Sequence, residues 1–284
     1  MTMKSLQRGF AKGYVTDVFI LGAGFSKAIS AEMPTLKELS RQILPRQAEA
    51  LRGFPDYLYD DAEAALAYLG ARYPWKSEST YHTHLGFALR LLEEIGRAID
   101  SAERKAVEAS QGRLPDWLVR MAHWLHDEHA TIITFNYDTL VERAFNQIQV
   151  QGPQYPTQSD FLNPIGLIPM DLKEPELRMQ RADYPTAELL KLHGSTNWLY
   201  SGAREFFGES IHYVPPDIWL HTSGWQTCRV PEGKVPLIVP PVSDKPNYFN
   251  HEGLRSLWSV ARQRIQSADP STASALVFQR LIWP

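Results

Sequence analysis

The segment Val18-Phe19-Ile20-Leu21-Gly22-Ala23-Gly24-Phe25-Ser26-Lys27-Ala28 constrains this chain more than any other. Four apolar residues run into two glycines and then into a helix-compatible stretch. That is the pattern of a buried strand turning sharply into a helix. Gly22 is expected to let the backbone turn where a side chain would clash, and Gly24 to let a ligand approach the main chain. Amides at the start of the new helix lie at its positive end, so a phosphate or pyrophosphate is the expected guest. The third glycine of the dinucleotide fingerprint is missing, with Lys27 or Ala28 in its place. Glycine also serves plain tight packing at strand-to-helix turns, and on this segment alone both readings stay open.

Composition narrows the class of protein. A chain of 284 residues can bury a core as one large domain or as one domain with a sizeable insertion. A net charge of -3 gives no reason to expect a nucleic-acid or membrane-binding surface. No apolar run approaches the length of a bilayer span, and the first residues lead to no secretory hydrophobic segment. Cys228 is the only cysteine, which excludes an internal disulfide and any multi-cysteine zinc site. The expected location is the reducing cytoplasm, and no metal is expected.

After the glycine turn, Thr35 and Glu38 have the spacing of a capping box, which predicts a helix with Leu36, Leu39, Ile43 and Leu44 on one face. From there to about Glu128 the pattern is helical throughout. Leu85, Leu89, Leu92 and Ile99 form one expected stripe, and Leu118, Met121, Ala122 and Leu125 another. An ordinary dinucleotide-binding dehydrogenase would place a second strand ending in an acid about twenty residues past the glycines. A helical insertion over residues 36–128 argues against that class.

The next strand is read at Thr131-Ile132-Ile133-Thr134, followed by Phe135-Asn136-Tyr137-Asp138 and a helix starting at Asp138 or Thr139. In an open α/β sheet, ligands lie at the carboxyl ends of strands, where Asn136 and Asp138 fall. Asn offers a donor and an acceptor, ionised Asp only acceptors. Asp138 fits a site group or a plain helix cap. Residues 151–187 read as a long loop or lid. A further short strand at Glu188-Leu189-Leu190-Lys191-Leu192 ends in His193-Gly194, where a histidine can accept a proton near neutral pH or serve structure alone. Pro236-Leu237-Ile238-Val239 reads as a strand, and Leu254, Leu257, Trp258, Ala261 and Ile265 mark an amphipathic helix. Ala275-Leu276-Val277-Phe278 reads as a last strand. His123, His126 and His129 drift around a helix rather than converge, so they read as structural, and Tyr81-His82-Thr83-His84 lacks a third ligand.

Gly22-Ala23-Gly24-Phe25-Ser26, Thr134-Phe135-Asn136-Tyr137-Asp138 and Leu192-His193-Gly194 together resemble the three signature motifs of sirtuin-like proteins, in the family's order and each at a strand end. Met33-Pro34-Thr35-Leu36-Lys37-Glu38-Leu39 and Val239-Pro240-Pro241 look like the divergent bacterial branch associated with NAD-depleting defence against phage. The likeness covers roughly residues 17–268. It implies one α/β domain with a Rossmann-like, mostly parallel sheet, spanning residues 1–284 with the helical insertion inside it. It further implies that Gly22, Ala23, Gly24, Phe25 and Ser26 cradle the pyrophosphate of NAD. Asn136 would contact the nicotinamide ribose and position the attacking water, Asp138 would orient the site or hold the carboxamide, and His193 would be a general base on the ribose side. Cleaving NAD suits such groups, because nicotinamide is already a cationic leaving group and the protein must mainly position, desolvate and stabilise charge.

Two departures choose between branches. Deacetylating sirtuins generally carry a four-cysteine zinc module and Pro-Asp-Phe-Arg after the glycine turn; this chain has one cysteine and Pro34-Thr35-Leu36-Lys37. The resemblance therefore implies an NAD glycohydrolase and abortive-infection effector, gated by oligomerisation or by a separate defence partner such as an Argonaute, an ATPase or a phage sensor. A third departure is the absence of the family's late ribose-contacting Gly-aromatic-Ser or Gly-Thr-Ser element: Pro270-Ser271-Thr272-Ala273-Ser274 follows Asp269 instead. Truncation after about residue 268 is the expectation it raises, and a non-catalytic nucleotide-binding module is the alternative reading. Zinc-independent NAD-dependent deacylation is a third.

Overall fold

The computed structural model describes residues 17–47, 51–148, 168–169, 186–201, 211–214, 234–239 and 252–268. Strand β1 (Val18–Leu21) leads through Gly22 into helix α1 (Ala23–Ile29). Four helices follow: α2 (Leu36–Ile43), α3 (Ala62–Gly70), α4 (Glu78–Ala109) and α5 (Asp116–Asp127). They begin where the local chemistry says they should. Thr35 and Glu38 form the reciprocal capping box of α2, Asp61 accepts from the Glu63 and Ala64 amides of α3, and Ser77 accepts from Thr80 in α4.

Strand β2 (Thr131–Thr134) returns the chain to β1, and α6 (Leu140–Gln147) follows it. Strands β3 (Ile168–Pro169), β4 (Glu188–Lys191), β5 (Gly194–Tyr200), β6 (His212–Tyr213) and β7 (Val235–Ile238) come next, then helix α7 (Glu252–Ser267). The predicted strand at Ala275–Phe278 and the altered element after Asp269 lie outside the described residues. So does all of the expected lid over 151–187 except Ile168–Pro169 and Thr186–Ala187.

The strands form two sheets. One is parallel, in the order β1-β2-β4, with Leu21 opposite Thr134 and Thr134 opposite Lys191. All three strands therefore end at one edge. Its residues alternate between two cores, as a sheet covered on both faces requires. Phe19, Leu21, Ile132 and Leu189 pack with the helices from α2 to α6, whereas Val18, Ile133, Leu190 and Leu192 pack with Trp198, Leu237 and the Leu254–Leu257 face of α7. The helical segment over 36–128 thus builds one core with the sheet.

A second sheet, in the order β3-β6-β5-β7, accompanies the parallel one and is mixed: β5 runs antiparallel to both β6 and β7, while β3 and β6 run parallel. The cause lies in Gly194. Its φ of +79° turns the chain immediately after β4, so the next seven residues start a new sheet instead of crossing over to extend the first. Two exposed side chains also depart from the expected stripes. Leu89 is 43% exposed, because the buried face of α4 runs through Ala88, Leu91, Leu92, Ile95 and Ile99; Ile265 is 51% exposed, beyond the Leu254-Leu257-Ala261 contact of α7. Among the described residues no helix is long and apolar enough to cross a membrane.

Candidate functional site

Because β1, β2 and β4 are parallel and in register, the segments that follow them emerge side by side. Gly22, Ala23 and Gly24 are exposed at this edge, while Phe25 and Ser26 turn inward. The backbone at Gly22 is extended (φ -127°), and a Cβ there would meet nothing within 4 Å. This corrects the expectation that Gly22 relieves a clash: neither conformation nor packing demands glycine at that position, and the turn simply presents bare main chain to the outside.

Asn136 ties the second strand end to the first. Its Nδ2 donates to the Gly22 carbonyl oxygen at 2.9 Å and to Ser26 Oγ at 2.8 Å. Ser26 Oγ in turn donates to Asp138 Oδ2 at 2.6 Å. Asp138 is buried and uses its other oxygen to accept the Leu140 amide at 3.2 Å, so it is a helix cap and a site group at once. Both Asn136 donor contacts are thereby assigned, and its Oδ1 accepts no hydrogen bond from the described residues.

His193 joins this cluster through its ring. It is buried, with the Phe135 ring edge-on at 5.1 Å and the Tyr137 and Trp258 rings at 6.2 and 6.4 Å. Tyr137 is itself anchored, its hydroxyl donating to the Val239 carbonyl at 2.8 Å and its carbonyl accepting from Ser195 Oγ and the Thr196 amide. Trp258 Nε1 donates to the Leu192 carbonyl at 3.2 Å, which brings α7 against the histidine turn. Gly22, Ser26, Asn136 and Asp138 thus share one hydrogen-bonded network, with His193 flanked by the aromatic residues on either side of Asn136.

Beneath the network lie two buried ion pairs that sequence reasoning missed. Lys191 Nζ sits 2.9 Å from Glu142 Oε1 and also donates to the Asp138 carbonyl. On the other side, Glu103 of α4 accepts from the Thr139 amide at 3.0 Å, from the Thr139 hydroxyl, and from Arg143 Nε at 3.2 Å. Burial pushes the Glu103 carboxyl up to about 7; Arg143 opposes the rise and Asp138 adds to it. Nothing local marks these residues, since Glu103 is one of several acids in a long polar helix. The one available signal was Lys191, a charged residue set between Leu190 and Leu192.

Removing the lysine should show how much rests on the first pair. Glu142 is 3% exposed and its Oε2 has no hydrogen-bond partner among the described residues. Lys191→Met would leave that carboxylate buried and unpaired, an expected loss of about 3–5 kcal/mol by urea denaturation. Combining it with Glu142→Leu should restore most of the loss, because an apolar pair pays no desolvation. Equal losses in the single and double variants would show that the ion pair is not the cause.

Two further histidines, His126 and His129, have partners within the fold. His126 Nδ1 lies 2.8 Å from Thr186 Oγ1, and burial lowers its pKa; His129 Nδ1 contacts the His126 carbonyl. Among the described residues no three acids, histidines or cysteines group together in a way that could hold a metal. The molecule is an α/β protein whose strand-end motifs converge on one edge of a parallel sheet. No family model, curated protein or solved structure matches the chain.

Proposed function

We propose that the chain is a sirtuin-like NAD glycohydrolase with a Rossmann-like NAD site, cleaving NAD to nicotinamide and ADP-ribose. The observation that carries the reading is the union of the motifs: the amide of Asn136 bridges Gly22 and Ser26 across two strand ends, with His193 beside it at the third. A ligand at the carboxyl edge of a parallel sheet would meet all of them together. The open main chain of Gly22 to Gly24 suits a pyrophosphate.

In the proposed reaction the bond between nicotinamide and ribose breaks, and nicotinamide leaves with the electron pair as a neutral base. The anomeric carbon passes through an oxocarbenium-like state and takes the oxygen of water, whose proton goes to His193 or to solvent. Asn136 Oδ1 is the acceptor that orients this water or a ribose hydroxyl. Asp138, buried and committed to Ser26 and Leu140, holds the arrangement rather than touching substrate. The aromatic walls of Phe135, Tyr137 and Trp258 exclude bulk water around the histidine.

As an antiphage effector in the cytoplasm, such an enzyme would need restraint, supplied by self-assembly or by a separate partner that senses infection. A single cysteine leaves no zinc module of the deacetylating kind, which favours hydrolysis over deacylation. The test is NAD consumption by the purified chain at high concentration, with products resolved by chromatography. Nicotinamide and ADP-ribose in equal amounts are expected. Binding of NAD or ADP-ribose without turnover would replace this reading with the nucleotide-binding module, and acyl-ADP-ribose from an acylated peptide would replace it with deacylation.

A further inference from the structure

We propose that Glu103 is a positioning residue for the candidate site, holding from α4 the Asp138–Leu140 turn on which the Asn136 network depends. The role of the positioned residues in NAD cleavage rests on the reading above; the mechanical link does not.

A fully buried carboxylate is costly, and an apolar residue of similar size usually packs as well. Glu103 is 0% exposed and spends its acceptors on one place, the start of α6. Thr139 occupies the cap position there, yet its own side chain caps nothing. Instead its amide and hydroxyl both point to Glu103, and Arg143, one turn into α6, closes the clamp. The residue before this clamp is Asp138, which accepts from Ser26, and Ser26 accepts from Asn136. A path of hydrogen bonds, joined by the single peptide bond between Asp138 and Thr139, therefore runs from the helical segment to the exposed strand end. Arg143 and Asp138 act directly on Glu103, Lys191 pairs with Glu142 and donates to the Asp138 carbonyl, and Arg104 faces Asp100 on α4 itself.

The sign of the pH effect follows from the raised pKa. Glu103 holds its proton more tightly in the closed turn than when hydrated, so opening is favoured as pH rises through about 7. Glu103→Gln keeps the size and the acceptor for the Thr139 amide, loses the titration, lets the Thr139 hydroxyl accept from the new amide, and gives up the Arg143 Nε contact.

Amide hydrogen exchange by NMR, on the full chain across pH 5.5 to 8.5 (about one and a half decades of proton activity on either side of neutrality), decides the matter. Thr139 reports on Glu103 trivially. The informative amides are Leu140 and Asn136, which bond to Asp138 and Thr134 instead. Wild type should lose protection at both, about 10-fold or more, as pH rises through neutrality. Glu103→Gln should abolish that step, and Glu103→Ala should lower protection there at every pH while β1 and β4 stay protected. A change confined to Thr139, or one spread evenly over the sheet, would overturn the proposal. In parallel, kcat for NAD should fall in Glu103→Ala and recover in Glu103→Gln, with an exposed α4 control, Glu93→Gln, unchanged. Should wild type leave NAD intact, the hydrolase reading falls while the exchange result still stands or fails by itself.

Discussion

Replacing Gly194 with alanine is expected to cost at least about 4 kcal/mol and to lower the melting temperature by about 10 °C. Two penalties combine. The residue sits at φ +79°, where a Cβ adds about 1–2 kcal/mol of backbone strain. The Cβ would also lie 2.1 Å from the Leu237 carbonyl oxygen, a main-chain atom of the neighbouring strand. That strand cannot yield cheaply. Gly194 pairs with Ile238 and Ser195 with Leu237, and the Val239 amide donates to the His193 carbonyl at 2.8 Å. Making room for the methyl would open the β5–β7 contact just behind His193, so nucleotide turnover should fall with stability. Gly22→Ala is the matched control, since its backbone is extended and its Cβ meets open space. It should melt within about 0.5 kcal/mol of wild type and weaken NAD binding only. Thermal melts of the two variants side by side make the comparison; coincident curves for Gly194→Ala and wild type would refute the left-handed requirement.

Asn136→Ala and His193→Ala should each reduce NAD turnover about 10²–10⁴-fold while leaving the fold intact. Asn136 is half-buried at the surface edge and its loss opens no large cavity. What it removes is the donor pair that holds Gly22 and Ser26 together, along with the Oδ1 acceptor. Asn136→Asp separates these two contributions. It keeps an acceptor but sets oxygen against the Gly22 carbonyl, and it adds negative charge beside Asp138. It should therefore fail nearly as badly as alanine. Ser26→Ala is expected to be milder, about 10-fold, because Asn136 retains Gly22 as a partner. Steady-state kinetics with circular dichroism on each variant is the measurement. Full activity in Asn136→Ala would remove that residue from the mechanism and the bridge from the argument.

Much of the frame was legible before any coordinates. The strand at Val18–Leu21, the capping box at Thr35 and Glu38, the helical run to Glu128 and the strands at Thr131–Thr134 and Glu188–Lys191 are all present. Each rests on neighbours in sequence: apolar runs, side chains three residues apart, glycine at a turn. The face of α4 differs from its expected stripe at one position, Leu89. Leu89 looked like a core position, but the rotation of α4 against the sheet is set by Ala88, Leu92 and Gly96, and the Ile238 side chain fills the space that a Cβ at Gly96 would need.

By itself the sequence determined which residues stand at strand ends, because periodicity and glycine placement are local properties of the chain. It therefore nominated Gly22 to Ser26, Asn136, Asp138 and His193 without knowing that four of these positions share one hydrogen-bonded network. Only the tertiary structure decided that Glu103, Lys191, Glu142 and Arg143 lie buried beneath them. It also decided that Gly194 turns the chain into a second sheet, where β5 runs antiparallel to its neighbours β6 and β7. The physical reason is range. A buried charge becomes tolerable only through a partner that folding delivers, here 36 to 53 residues away in the chain, and no local pattern encodes that meeting.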